Sequence, residues 1–415
     1  MAVQEGGARS GVQRYQTKSG ETRWRIRWEL PPDAAGKRRQ GSRRGFRRQS
    51  EAKKVLNEIL TDLGEGSYVP VDRLTVEEWL VGEWLPARRP EGGTTGRSRR
   101  QQLSLTSWSQ YQSYIRAYVV PQIGSIALQE LSGDDLHRLY DRLEVSGGKR
   151  GRGLSAKTLA NLHGVLHKAL GDAVRRGRLA RNVADQVQAP GAERVQMRWW
   201  SVEQLREFVR HVEGDRLYAA WLLFVTTGMR RGEVAGLAWD DLDLDEGRLT
   251  VQWQLGLIDG VPIFKPRPKS RAGRRTLALD PATVEALRTH QRQQAVERAE
   301  VGALWQPVQQ DQFGTARRDL VFSWEDGSLI NPERFTTWFK RHCRAAGLPE
   351  IRLHDVRHSY ASAGLANARG WYEVKVISER LGHANLAITL DTYAHVLPAA
   401  DEATAHTLAT AILGR

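Results

Sequence analysis

At 415 residues the chain exceeds a single ordinary hydrophobic core, so two or three domains are expected. A formal charge of +14 and a pI near 10.1 call for a polyanionic partner, either nucleic acid or an anionic membrane surface. Membrane insertion is disfavoured: mean hydropathy is −0.52, no apolar run approaches the ~18 residues of a spanning helix, and no basic-plus-apolar leader follows Met1. Cys343 is the single cysteine, which excludes an intrachain disulfide and a cysteine-based zinc site and suits a reducing cytoplasm. The 14 tryptophans, among them Trp24, Trp28, Trp239 and Trp338, are expected mainly in core packing.

Charge is concentrated at the start. Residues 1–73 hold 16 Lys+Arg against 9 Asp+Glu, a net of +7, which is half the excess charge in less than a fifth of the chain. Thr22–Trp28 alternates arginine with apolar residues, the pattern of a strand with one buried face and one row of cations: Arg23, Arg25 and Arg27. A turn through Pro31, Pro32, Asp33 and Gly36 leads to a second basic strand in Lys37–Arg48, where seven of twelve residues are Lys or Arg. A helix from Ser50 to about Leu63 presents Val55, Ile59, Leu60 and Leu63 on one side. The expected unit is a small sheet with a helix across its back. Its candidate DNA contacts are Arg23, Arg25, Arg27, Lys37, Arg38, Arg39, Arg43 and Arg44. A solvated basic face is the plainer reading, but alignment of the arginines on one strand face favours DNA, because β-ribbons fit the major groove.

Residues 74–190 read as helices. Thr75 and Glu78 form a capping-box pattern. Glu91–Gln102 is a Gly/Ser/Thr/Arg-rich loop, and Ser104–Val120 a helix ending at Pro121-Gln-Ile-Gly124. Ser132 starts a helix through about Leu143, and a second basic loop spans Ser146–Gly153. The long helix Ser155–Arg176 carries Leu159, Leu162, Val165, Leu166, Leu170 and Val174 along one side, and Asn182–Pro190 is a linker.

From residue 191 onward the pattern is mixed. Ser201–Gln204 is a second capping box, and Tyr218–Thr227 an apolar helix stopped by Gly228. Arg248–Leu255 and Thr276–Leu279 read as strands. Helices follow over Pro281–Arg298, Pro332–Ala346, Leu353–Leu365, Val374–Leu381, Ala387–His395 and Asp401–Leu413. The fold class is therefore mainly α with small β-sheets (α+β), divided at 1–73, 74–190 and 191–415.

The last domain carries a scatter of residues that makes sense if they meet at one phosphate. They are Thr-Gly-Met-Arg230-Arg-Gly-Glu233, Lys269, His354-Asp-Val-Arg357-His, Leu-Gly-His383 and Asp-Thr-Tyr393. Arginine forks neutralise non-bridging oxygens, a cation can protonate a leaving oxygen, and a phenol can attack phosphorus. At these residues the chain resembles the tyrosine recombinases of the phage-type integrase family, with the motifs in the family's order. The resemblance implies that Arg230 and Arg357 clamp the scissile phosphate and that Lys269 is the general acid. It further implies that His354 handles the tyrosine proton, His383 donates to another phosphate oxygen, and Tyr393 is the nucleophile. Glu233, three residues after Arg230, can orient its guanidinium. The order basic sheet, helix, Tyr68-Val-Pro70 is also similar to the arm-binding domain of many phage-type integrases, which would make residues 74–190 a helical, SAM-like core-binding domain.

Each residue also has a plainer reading. Arg230–Glu233 alone is a surface pair, His383 a capping histidine and Tyr393 a packed tyrosine. Lys265 competes with Lys269. His354 and His358 have the spacing of helical zinc ligands, but Asp355 stands where the zinc-protease motif needs glutamate, so no metal is assigned. No cofactor is expected, since a phosphotyrosine linkage conserves the phosphoester energy.

The resemblance thus implies a site-specific recombinase of a phage or mobile element. It would act on double-stranded attachment sites as a homotetramer through a Holliday junction, in the cytoplasm and nucleoid of a bacterial host. An excision factor and a host DNA-bending protein are implied accessory partners, and no membrane is. A type IB topoisomerase and a non-catalytic DNA-binding regulator are the rival readings.

Overall fold

The computed structural model describes residues 10–32, 36–65, 68–90, 103–148, 151–191, 198–266, 275–368, 370–383, 385, 386, 389, 390, 409, 410 and 412–414. Lys269, Tyr393 and most of the expected helices at 387–395 and 401–413 lie outside these residues. The chain forms two compact units, Met1–Glu193 and Arg194–Arg415.

The first unit opens with three antiparallel strands, β1 (Gly11–Gln16), β2 (Thr22–Leu30) and β3 (Arg39–Phe46), backed by α1 (Gln49–Gly64). β1 went unread because its polar sequence, GVQRYQ, lacks the apolar alternation of β2. Ile26, Trp28 and Phe46 are buried with Ala52 and Leu56 of α1. Leu60, expected on the packed side of this helix, is 41% exposed, because Ala52 and Leu56 complete the stripe with Val55, Ile59 and Leu63 instead. The Trp28 ring covers Gly41 of β3, where a Cβ would lie 2.2 Å from it.

A separate helical cluster follows. Thr75 and Glu78 cap each other, Thr75 N–H donating to the Glu78 carboxylate at 2.8 Å and Glu78 N–H to Thr75 Oγ1 at 3.2 Å. Two stretches, Glu78–Trp84 and Ile115–Val119, are π-helical, and each runs into a short helix with proline at its start: α2 (Leu85–Arg88) and α4 (Val120–Ile123). Proline lacks an N–H and crowds the carbonyl four residues back, and widening the preceding turn relieves both. The helix beginning at α3 (Leu105–Tyr114) thus continues past Pro121 to Ile123. α5 (Gly133–Ser146) has a Ser132–Asp135 capping box. α6 (Ala156–Arg175) buries Leu159, Leu162, Val165, Leu166 and Leu170, as its spacing predicts.

In the second unit, α7 (Val202–His211) starts at the Ser201–Gln204 capping box. α8 (Tyr218–Thr227) is almost wholly buried, packing Trp221 and Phe224 against Phe335. α9 (Arg231–Ala235) leads to a sheet ordered β4 (Leu242–Asp243), β5 (Arg248–Val251), β8 (Arg275–Ala278). The expected strand Arg248–Leu255 is in fact two: β6 (Trp253–Ile258) leaves the sheet at Gln252 and, among the described residues, pairs with β7 (Val261–Pro266). The two-residue turn between them is Asp259-Gly260, both at positive φ, the residue pair that favours a tight hairpin. A small hairpin, β9 (Val308–Gln310) with β10 (Ala316–Arg318), follows α10 (Pro281–Val301). α11 (Pro332–Ala345), α12 (Leu353–Ala366) and α13 (Trp371–Leu381) complete the unit, α13 starting three residues before its expected Val374. Trp200, Phe208, Trp221 and Phe339 form an aromatic centre of the core. Among the described residues, no helix is long and apolar enough to cross a membrane.

Candidate active site

Three chain breaks in regularity converge. α8 ends at Gly228, whose φ of +63° an L side chain rarely adopts, and a Cβ there would lie 2.7 Å from Tyr360 and 3.1 Å from Leu381. α13 likewise ends at Gly382, with φ +67°. α12 begins at Arg352, where the Asp355 carboxylate accepts the Arg352 backbone N–H at 2.9 Å.

These ends aim the polar residues. Arg230 is extended and precedes α9, and Glu233 accepts both its backbone N–H (2.9 Å) and its Nη1 (3.0 Å). Glu233 is 1% exposed, and its carboxylate also receives the Arg275 fork at 2.8 and 3.2 Å. Arg275 Nε donates to the Arg380 carbonyl at 2.6 Å. Arg357, also buried, donates to the Gly228 carbonyl at 2.7 Å and to the Leu381 carbonyl. Arg357 therefore ties the ends of α8 and α13 together from α12. His383 follows Gly382, and its Nδ1 lies 2.8 Å from Thr389 Oγ1. That hydroxyl donates to Ser378 Oγ at 2.9 Å, so it accepts from Nδ1–H and puts the lone pair of the neutral ring on Nε2.

The electrostatics bind these residues into one cluster. Burial and then the Arg357 and Arg230 guanidiniums push the His383 pKa down to about 4. His358 is likewise pushed down to about 4, by burial and by His354, whose ring centroid is 5.2 Å away. His354 keeps an exposed edge; the packed part of its ring and the Arg357 charge hold it below the usual histidine range. Burial and Arg275 lower Arg230, and burial and Arg380 bring Arg275 down to about 10. A cluster of guanidiniums and imidazoles held below their usual pKa has the chemistry to bind an oxyanion. Among the described residues, no group of three His, Cys, Asp or Glu could hold a metal ion.

Residues 198–400 match the model of the phage integrase family, and residues 12–63 match an arm DNA-binding domain. The chain thus carries a phage integrase family domain preceded by an arm DNA-binding domain. It is 26% identical over 401 residues to a XerC-like tyrosine recombinase of Caldanaerobacter subterraneus, covering 92% of this chain and 94% of that one. An integrase of Streptomyces ambofaciens is 27% identical over 389 residues, covering 89% of each. The structure of the Tn1549 transposon integrase in complex with a circular intermediate DNA superposes with a TM-score of 0.61 at 20% identity, covering 81% of this chain and 99% of that one, and so shares its fold.

In this tyrosine recombinase, Arg230, Glu233, His354, Arg357 and His383 come together, while Lys269 and Tyr393 lie outside the described residues. Lys265, the alternative lysine, is half-buried on β7 opposite Gln254, and burial lowers its pKa. Arg275 and the Ser378–Thr389 relay to His383 were missed. Arg275 had a signal: strand alternation puts it on the same buried face as Leu277, and a cation there requires a carboxylate.

The eight candidate arm residues divide by strand register. Arg23, Arg25 and Arg27 alternate with the apolar residues of β2, and Arg44 stands opposite Arg25; these four share the face away from α1. Arg25 Nε donates to Gln13 Oε1 at 2.9 Å across the β1–β2 pair. Arg43 stands opposite Ile26, on the helix side, with its guanidinium 5.6 Å from the Phe46 ring centroid. Arg39 stands opposite Leu30, and Lys37 and Arg38 precede β3, with Arg38 paired to Glu29.

Proposed function

We propose that this recombinase cuts and rejoins double-stranded DNA at specific sites, with Tyr393 as nucleophile and the cluster around Arg230 and Arg357 as its phosphate cradle. The observation that carries this reading is the joining of two arginines from distant parts of the chain, through Glu233, Gly228 and Leu381, beside His354 and His383. Tyr393 Oη attacks phosphorus while the bond to the 5′ oxygen breaks. The phenol proton passes to His354, and Lys269 protonates the departing 5′ oxygen to give a hydroxyl. A 3′-phosphotyrosine results, and a 5′ hydroxyl from the partner duplex reverses the steps to rejoin strands. Arg230 and Arg357 stabilise charge on the non-bridging oxygens. His383 donates through Nε2 once protonated, and the approaching phosphate charge opposes the neighbours that keep its pKa low.

Residues 1–73 serve as an arm-binding domain, 74–190 as a core-binding domain and 191–415 as the catalytic domain. Arg23, Arg25, Arg27 and Arg44 face the arm DNA. The assembly on DNA is a homotetramer that exchanges one strand pair at a time through a Holliday junction. An excision factor and a host DNA-bending protein set direction, and the setting is the bacterial cytoplasm and nucleoid.

Suicide substrates taken from the element's own ends test the reading on a denaturing gel. A slow covalent band in wild type and none in Tyr393→Phe supports it. An adduct that persists in Tyr393→Phe assigns the nucleophile elsewhere, and a band without site dependence favours topoisomerase chemistry.

A further inference from the structure

Arg275 opens β8 with its side chain 6% exposed, and no motif singles it out. Its guanidinium reaches two places. Nη1 and Nη2 fork onto Glu233 at 3.2 and 2.8 Å, and Nε donates to the Arg380 carbonyl at 2.6 Å. Glu233 also holds Arg230, at 3.0 Å from Nη1. One enclosed carboxylate thus serves two guanidiniums, and the three side chains together carry a single net positive charge. The Arg380 carbonyl is next in the chain to the Leu381 carbonyl that receives Arg357. Arg275 therefore braces both halves of the arginine pair, Arg230 through Glu233 and Arg357 through the last turn of α13.

We propose that Arg275 is a positioning residue for DNA cleavage: it holds the Glu233 carboxylate and the end of α13 so that Arg230 and Arg357 meet one phosphate. The proposal rests on the reading of Arg230 and Arg357 as the phosphate cradle. Without Arg275, Glu233 loses the fork that occupies both its oxygens, and its pairing with Arg230 is free to tighten. Carboxylate–guanidinium pairing then becomes bidentate and competes with phosphate for the same donors. The net charge of the group falls from one to zero, and α13 loses a strut one residue before the carbonyl that aligns Arg357.

Single-turnover cleavage of a suicide substrate tests this at saturating protein, with site affinity and melting temperature measured in parallel. The variants are Arg275→Met, Arg275→Lys, Glu233→Gln, Arg275→Met with Glu233→Gln, and Arg230→Lys. Arg275→Met is expected to slow cleavage by about 10²-fold, the scale of a small misplacement of catalytic groups, with site affinity within about twofold. Arg275→Lys keeps the charge without the fork and recovers part of the rate. Adding Glu233→Gln to Arg275→Met costs nothing further, since the first change already acts through that carboxylate. Wild-type cleavage by Arg275→Met, multiplied penalties in the double variant, or affinity falling in step with rate would each overturn the proposal. Should Arg275→Met fail to fold, Arg275→Lys and the double variant carry the test, because neither leaves Glu233 buried opposite a neutral side chain. If Arg230→Lys cleaves normally, the cradle reading itself fails. If Arg230→Lys is slow and the Arg275 variants are normal, only the role of Arg275 fails.

Discussion

In the arm sheet, Arg27 and Arg44 stand on an open strand face in solvent, while Arg357 and Arg275 are sunk among carbonyls and one carboxylate. The residue type is the same and the use is opposite. Exposed arginines attract a polyanion by number, each contributing little and each screened by salt. Buried arginines cost desolvation, which their fixed partners offset, and in return their donors are held in place before a substrate arrives. The arm can therefore lose a cation and still bind, whereas the active site can lose none without changing the geometry of the others.

The largest expected effect tests that second half. Arg357→Lys keeps the charge but cannot span the Gly228 and Leu381 carbonyls. Single-turnover cleavage is expected to fall by about 10²–10³-fold, with DNA affinity little changed, by analogy with removal of an oxyanion donor. Equal losses in rate and affinity would mean that Arg357 serves binding rather than cleavage.

Gly228→Ala comes next. It forces a side chain into a left-handed turn and against Tyr360. The cost is expected at about 1–3 kcal/mol of stability, read as a lowered melting temperature. An unchanged melting temperature would show that this turn is not constrained as described.

A pH effect of intermediate size follows from the histidines. His358 and His383 titrate near 4 when folded and DNA-free, against an ordinary value near 6.5. The unfolded chain binds the extra protons between those values, so stability is present above about pH 6.5 and is lost as pH falls toward 4. Sulfate, an anion for the same pocket, should lessen that loss. Melting curves from pH 4 to 7, with and without sulfate, check both statements; a flat response would remove the histidines from the buried cluster.

The smallest effect belongs to the arm. Arg25→Ala should weaken binding to arm DNA by a factor of about 3–10 and reduce the log–log salt slope by about one, while cleavage of an isolated core site is unchanged. If cleavage of that core site fell as well, the separation between arm and active site would collapse.

Much of this was legible along the chain. Strand β2 declared itself through strict alternation, α6 through its apolar spacing, and α7 through its capping box, because each signal is local and its physics is satisfied within a few residues. The polar strand β1 and the Asp259-Gly260 hairpin were missed, the first for want of alternation and the second because a real turn signal was passed over. In the site, Arg230, Glu233, His354, Arg357 and His383 could be named because their motifs are short and contiguous. For Arg275 alternation marks only a buried cation; its role depends on Glu233, 42 residues earlier, and on Arg380, 105 residues later.

Local spacing specified which residues carry charge, which helices begin where, and which side chains could serve phosphate chemistry. Tertiary packing alone decided how one buried carboxylate is shared between Arg230 and Arg275, and that Arg357 spans the ends of α8 and α13. The reason is desolvation: a guanidinium enclosed by the fold must find its acceptors wherever the chain brings them, and those acceptors are backbone carbonyls and a distant glutamate that no motif records.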